Sequence, residues 1–254
     1  MKHKLLKAIC LSLSLCLVIS LFPAMYSVAV EEKPALRFNA DGQFKIMMIN
    51  DTQDTDRANP KLINFLNAAL DAENPDLVVI VGDMMSETFL FPNEKRVQKA
   101  IDNIIAPIND RGIPFAIAFG NHDEDVKISK ERQMQMYMAY DTCYAVDEGD
   151  ALTGVGTYNL PILTNDGSKV AFNVYMMDSN SYLPGGGYDG VYEDQIAWYE
   201  ATGNALKAQN GGQAVPSLLF QHIPVPEIFD LLTEVPAFTP GAVRDGKSWY
   251  MLNT

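Results

Sequence analysis

Asp51, Asp83, the quartet Gly120-Asn121-His122-Asp123 and His222 are the places where this chain could do chemistry, because each follows an apolar run. The runs are residues 44–49, Leu77–Val81, Ile113–Phe119 and Leu218–Phe220. Carboxylates, amide oxygens and imidazoles are donors that divalent ions accept. Near-continuous apolar runs read as strands of a parallel-rich sheet covered by helices. Polar residues that follow such strands collect in the crevice at the strands' carboxyl ends. Of three histidines, His3 lies in an N-terminal leader, so both others stand at strand ends beside carboxylates. A dinuclear metal site needs them there. Two ions about 3.5–4 Å apart share a carboxylate and activate a hydroxide near neutral pH.

Taken singly, each of these residues also has an ordinary reading. Asp51 and Asp83 suit strand ends or helix caps, Asn121 suits a turn, and His222 suits a hydrogen-bonded core. Asp51, Asp54 and Asp56 lack the spacing and the glycine of an EF-hand loop. Asp178-Ser179-Asn180 ends another apolar run and either lines the rim of the site or simply turns the chain. Gly185 to Gly187 form a flexible loop without a phosphate-loop pattern. Met134, Tyr137 and Met138 are packing residues of a helix.

The elements that must position these groups alternate. An Asp41-Gly42 turn between residues 35–38 and 44–50 signals a hairpin. Asn59-Pro60 reads as an N-cap followed by proline at the first helical position. Leu62, Phe65, Leu66, Ala69 and Leu70 then recur at helical spacing as far as Glu73. A second helix spans residues 93–108, with Val97, Ala100, Ile101, Ile104 and Ile105 on its inner face. The strands 77–81 and 113–119 complete a β-α-β-α-β order, which predicts an α/β fold with right-handed crossovers. Further on, the pattern predicts a helix over 129–139, strands over 155–163 and 169–177 around Asn165-Asp166-Gly167, a helix over 193–205, and a last strand before His222.

The bulk composition narrows the function. Lys2, Lys4 and Lys7, an apolar stretch from Ala8 to Phe22 and the small residues Ser27-Val28-Ala29 form an export signal over residues 1–29. That stretch is shorter than the roughly 20 residues a membrane span needs, so cleavage and export are expected, with no membrane span left afterwards. The remaining 30–254 is long enough for one α/β domain with a substantial core. A net charge of −13, more negative once three lysines leave, repels nucleic acid and anionic lipid. It also makes a bound cation the natural means of attracting phosphate. The other two cysteines, Cys10 and Cys16, lie in the leader, so no disulfide framework is expected and Cys143 reads as a small buried hydrophobe.

In this order, Asp51-x-Gln53, Gly82-Asp83, Gly120-Asn121-His122-Asp123 and His222 resemble the calcineurin-like metallophosphoesterase superfamily. The segment Phe220-Gln221-His222-Ile223-Pro224-Val225-Pro226-Glu227 is similar to its bacterial and fungal branch related to purple acid phosphatases. The resemblance covers Phe44 to Glu227. It implies a sandwich of two packed β-sheets flanked by helices and two divalent ions, Mn, Fe, Zn or Mg. Asp83 would bridge the ions, with Asp51 and Gln53 on the first and Asn121 and His222 on the second. His122 would face the substrate, oriented by Asp123.

Two departures qualify the pattern. Gln53 stands where the family usually has histidine, and no Gly-His-x-His follows His222, so the domain 30–254 is expected to be C-terminally incomplete. Ser86 stands where the purple subtype has tyrosine, so an Fe(III)–tyrosinate colour is not expected. The implied activity is hydrolysis of small-molecule or protein phosphomonoesters, with diesters second, by metal-bound hydroxide. The alternative is a non-catalytic exported binding protein or an inactive fragment.

Overall fold

The computed structural model describes residues 33–85 and 89–252. The expected export signal and Ser86 lie outside them. Chain contacts divide the molecule at Pro34, and the body from Ala35 onward carries all of the regular structure below.

Strands β1 (Ile46–Ile49), β2 (Leu77–Val81) and β3 (Phe115–Ala118) form a parallel sheet in the order β1-β2-β3. Every residue of β2 and β3 is buried, as strands covered on both faces must be. Helix α1 (Pro60–Glu73) links β1 to β2, and α2 (Glu94–Asn109) links β2 to β3. Both start as the sequence predicts. The Asn59 side chain accepts the Lys61 amide and Pro60 opens the first turn, while the Asn93 side chain accepts the Arg96 amide. Val97, Ala100, Ile101, Ile104 and Ile105 are buried along one stripe of α2. The register pairs Ile49 with Ile80 and Val81 with Ala118, so three strand ends lie level and their loops emerge together.

A second sheet carries β4 (Tyr158–Leu163), β5 (Val170–Met176) and β6 (Ser217–Phe220) in that order. β4 and β5 are antiparallel, and β6 runs parallel to β5 with Phe220 opposite Met176. Asp178 and His222 therefore leave neighbouring strand ends. The sheets meet at the outer edge of β3, where Tyr158 Oη accepts the Ile117 amide and donates to the Ile117 carbonyl, both at 2.9 Å. Thr142 to Tyr144 close more of that edge through Phe115. Helices α3 (Lys130–Met138) and α4 (Glu193–Gln209) complete the α/β architecture.

Three expectations change. The Asp41-Gly42 turn forms, but residues 36–38 do not pair with β1. They hydrogen-bond to Leu163 at the end of β4, because Leu36 is apolar and buried there. After His222 the chain builds a third, antiparallel sheet, β7 (Leu232–Val235), β8 (Val243–Asp245) and β9 (Ser248–Leu252), in the order β7-β9-β8. Both expected sheets are present, and this third sheet is added to them. The segment read as a flexible glycine loop is the tip of a hairpin: the Leu183 amide donates to the Gly187 carbonyl, and Tyr182 bridges Tyr188.

Candidate metal centre

The loops after β1 and β2 are joined backbone to backbone. Asp51, Gln53 and Asp54 donate their amides to the carbonyls of Gly82, Asp83 and Met84, each at 3.1 Å, continuing the parallel ladder past the strands. To do this Asp51, Gln53 and Asp83 adopt φ values of 52°, 43° and 53°. Side chains other than glycine pay roughly 1–3 kcal/mol for such conformations, which persist where surrounding structure imposes them and cluster at functional sites. Gly82 and Gly120 let the loops after β2 and β3 touch. A Cβ on Gly82 would lie 2.5 Å from Gly120 Cα and 2.9 Å from His222 Nδ1, and one on Gly120 would lie 2.7 Å from Asp83 N.

Into this junction Asp51, Asp83 and His222 each project one donor atom, and the three atoms lie within 4.8 Å of one another. Asp83 is buried; its Oδ1 accepts the His122 amide at 2.8 Å and its Oδ2 lies 3.3 Å from His222 Nε2. The second ring nitrogen, Nδ1, is 2.7 Å from the Val81 carbonyl. A carbonyl only accepts, so Nδ1 carries a proton and Nε2 is the atom presented to the site.

Burial alone would lower the pKa of His222. The Asp83 carboxylate, the Val81 carbonyl and the charge of Asp51 outweigh it and raise the imidazole to about 9. Asp83 is pushed up by burial, but the His222 hydrogen bond, the His122 amide and the two imidazole charges hold it below its ordinary range. A proton on His222 therefore does in part what a cation would do between Asp51 and Asp83. Two carboxylates and an imidazole fit a divalent ion of the Mn, Fe, Zn or Mg kind, and ligation there exchanges that proton for metal.

The loop after β3 brings in Asn121 and His122. Asn121 is 5 % exposed; its Nδ2 donates to Tyr182 Oη, leaving Oδ1 as the side-chain acceptor, and its carbonyl accepts from Ser181 Oγ at 2.9 Å. Gln53 is exposed on the first loop, and the structure ties it to Asp83 through its backbone.

The structure does not place Asp123 on the His122 ring. Its carboxylate is buried and accepts three amides, those of Asp83 (2.9 Å), Met84 (3.1 Å) and Gly120 (2.7 Å). It pins the loops after β2 and β3 together. Burial, only partly offset by those amides, pushes its pKa up to about 6. The carboxylate on the imidazole is Asp125, with Oδ2 2.7 Å from His122 Nδ1. One helical-type turn separates Asp125 from His122, and that spacing was the signal in the sequence.

Other contributors come from the second sheet. Ser179 Oγ accepts the Ile223 amide at 2.8 Å, which holds the chain next to His222. Asp178 ion-pairs with buried Lys130 at 3.0 Å. Asp178 and Ser179 are fully buried, so of the two readings of Asp178-Ser179-Asn180 the packing supports a turn that ties the chain behind the site. Tyr182 has no sequence signal at all: it reaches Asn121 and His122 from 61 and 60 residues away. An open cavity of about 440 Å³ adjoins the centre, lined by Asn121, Tyr188, Asp189, His222, Ile223 and neighbouring prolines.

Comparison with known proteins identifies the family. The family model for calcineurin-like phosphoesterases matches residues 44–250. "Probable inactive purple acid phosphatase 14" of Arabidopsis thaliana is 32% identical over 237 residues, covering 79% of this chain and 58% of that protein. "Probable inactive purple acid phosphatase 29" of the same plant is 28% identical over 266 residues, covering 92% and 66%. "Phosphatase DCR2" of Saccharomyces cerevisiae is 31% identical over 188 residues, covering 69% and 31%. The chain thus spans less than two thirds of the length of each of these relatives. With the family model laid over residues 44–250, from β1 into β9, this protein belongs to the calcineurin-like phosphoesterases.

Proposed function

We propose that this protein hydrolyses phosphomonoesters, with diesters as the second substrate class, at the crevice formed by the ends of β1, β2, β3 and β6. The observation that carries the reading is the convergence of Asp51, Asp83 and His222 within 4.8 Å at strand ends. In this reading Asp51, Gln53, Asp83, Asn121 and His222 would hold two divalent ions. Ions held there lower the pKa of water and draw charge from a phosphoryl group.

The chain's own groups do the rest. His122 presents Nε2 to the phosphoryl or leaving oxygen and holds the proton that the leaving group needs. Asp125 orients that ring through Nδ1, and Tyr182 Oη, 3.4 Å from Nε2, limits its swing. Tyr182 also keeps the Asn121 amide turned with its oxygen inward. Asp123 holds the loops that carry Asp83 and His122. The leader 1–29 directs the domain 30–254 out of the cell, and among the described residues no helix is long and apolar enough to cross a membrane.

Turnover of p-nitrophenyl phosphate and bis(p-nitrophenyl) phosphate by the Mn-loaded protein tests the reading. His122→Ala is expected to lower turnover by about 10²–10⁴, the usual contribution of a positioned acid or base. Unchanged turnover in that variant would overturn it. A second reading, a non-catalytic exported protein that binds a ligand in the same crevice, has two supports. Gln53 replaces the expected histidine, and two of the relatives carry "probable inactive" in their names. Metal binding without turnover selects it.

A further inference from the structure

The segment between β5 and α4 is built to hold two aromatic rings at the mouth of the crevice. Its base is anchored. Asp178 pairs with buried Lys130 and accepts the amides of Val155 and Asn180, and Gln195 Nε2 donates to the Asp178 carbonyl at 2.8 Å. Asn180 Nδ2 donates to the Gly190 carbonyl at 2.7 Å, and the Asp189 amide to the Ser181 carbonyl at 3.1 Å. Between these ties Tyr182 and Tyr188 face each other across the hairpin. Their rings stack with centroids 5.6 Å apart and planes 23° from parallel.

The two tyrosines have different surroundings. Tyr182 is committed to the site: its hydroxyl takes the Asn121 amide, and its ring meets the His122 imidazole edge-on at 6.0 Å. Tyr188 is 62 % exposed, yet it lines the same cavity as Asn121 and His222. A hairpin stabilised by ring stacking alone has no need to aim the outer ring at that cavity. Beside Tyr188 the cavity is lined by Ile223, Pro224 and Pro226, which are apolar, and by one acidic side chain, Asp189. Asp189 is occupied by the Gly190 amide and the Tyr192 hydroxyl. Apolar walls, an open aromatic face and a net charge of −13 suit a flat uncharged ring and disfavour a second phosphate.

We infer that Tyr188 is a specificity-determining residue that stacks on the aromatic leaving group of a phosphomonoester while the phosphoryl group lies at Asn121, His122 and His222. The inference rests on the phosphoesterase reading above and names its substrate class, aryl-type phosphomonoesters whose ring carries no further anionic group.

Calorimetric titration of the Mn-loaded protein with phenylphosphonate, methylphosphonate and inorganic phosphate tests it without requiring turnover. The wild type is expected to bind phenylphosphonate about tenfold more tightly than methylphosphonate, a ratio within the range of aromatic pair energies. Tyr188→Ala should bring that ratio close to one, and Tyr188→Phe should retain it, because the ring and not the hydroxyl makes the contact. Binding of all three ligands with no phenyl preference in the wild type, or a preference that survives Tyr188→Ala, overturns the aromatic subsite and leaves the phosphoesterase reading standing. Binding of none of the three overturns both.

Discussion

His222 Nε2 lies 3.3 Å from Asp83 Oδ2 while its Nδ1 lies 2.7 Å from the Val81 carbonyl, so one imidazole is held between a carboxylate from the loop after β2 and the end of β2 itself. The pair carries charge of opposite sign in the absence of metal, and its titration is coupled to folding.

A pH dependence follows for the metal-free protein. The folded-state pKa of His222 is about 9 against an ordinary 6.5, so the folded state holds this proton more tightly. Its stabilisation is complete below pH 6.5 and is lost as pH rises through 9. The thermal midpoint in chelator is expected to fall across that window by on the order of 5 °C, and His222→Gln should flatten the fall. Differential scanning calorimetry at pH 6, 7.5 and 9 checks it.

Metal binding should depend on Asp83 more than on any outer group. Asp83→Asn is expected to weaken Mn binding by more than the roughly 10–100-fold that removal of an outer partner costs. Elemental analysis after loading and desalting, together with titration calorimetry, gives the number. Retained affinity would mean that the ions sit elsewhere.

Asp123 and Asp125 should separate cleanly. Asp123 accepts three buried amides, so Asp123→Asn turns an NH₂ group toward a donor and is expected to cost about 1–3 kcal/mol in urea unfolding. Asp125→Asn touches only the partly exposed pair with His122 and should leave the unfolding midpoint nearly unchanged. Its effect is expected in kcat, a loss of about tenfold or more out of the roughly 10²–10⁴ that a positioned acid or base supplies.

Gly120→Ala should damage both stability and metal binding, because its Cβ would meet the Asp83 backbone nitrogen at 2.7 Å. Backbone cannot rotate aside as a side chain can, and overpacking of this kind costs about 1–3 kcal/mol. Gly185→Ala is the control: a Cβ there meets nothing within 4 Å. Urea midpoints of the two variants, measured side by side, decide it.

Much of the fold is local in origin and was therefore legible in the chain. Asn59-Pro60 and Asn93 cap helices through their own side chains, and the stripe Val97 to Ile105 declares the buried face of α2. The apolar runs at 77–81 and 115–118 could only be strands covered on both faces. Residues 36–38 misled because a turn at Asp41-Gly42 says that the chain reverses, but not which strand it meets. The third sheet was missed because β7, β8 and β9 are short and none of their described side chains is fully buried, which leaves little periodicity to detect.

For the site, the sequence alone determined which residue types stand at which strand ends, since Asp51, Asp83, Asn121, His122 and His222 follow directly from the apolar runs that precede them. Only the tertiary structure decided what those side chains meet. It assigned Asp123 to three backbone amides and Asp125 to the imidazole, and it carried Tyr182 across 61 residues to Asn121. The reason is physical: a strand end sets position through local backbone geometry, whereas a hydrogen-bond partner depends on register and loop packing between segments far apart in sequence.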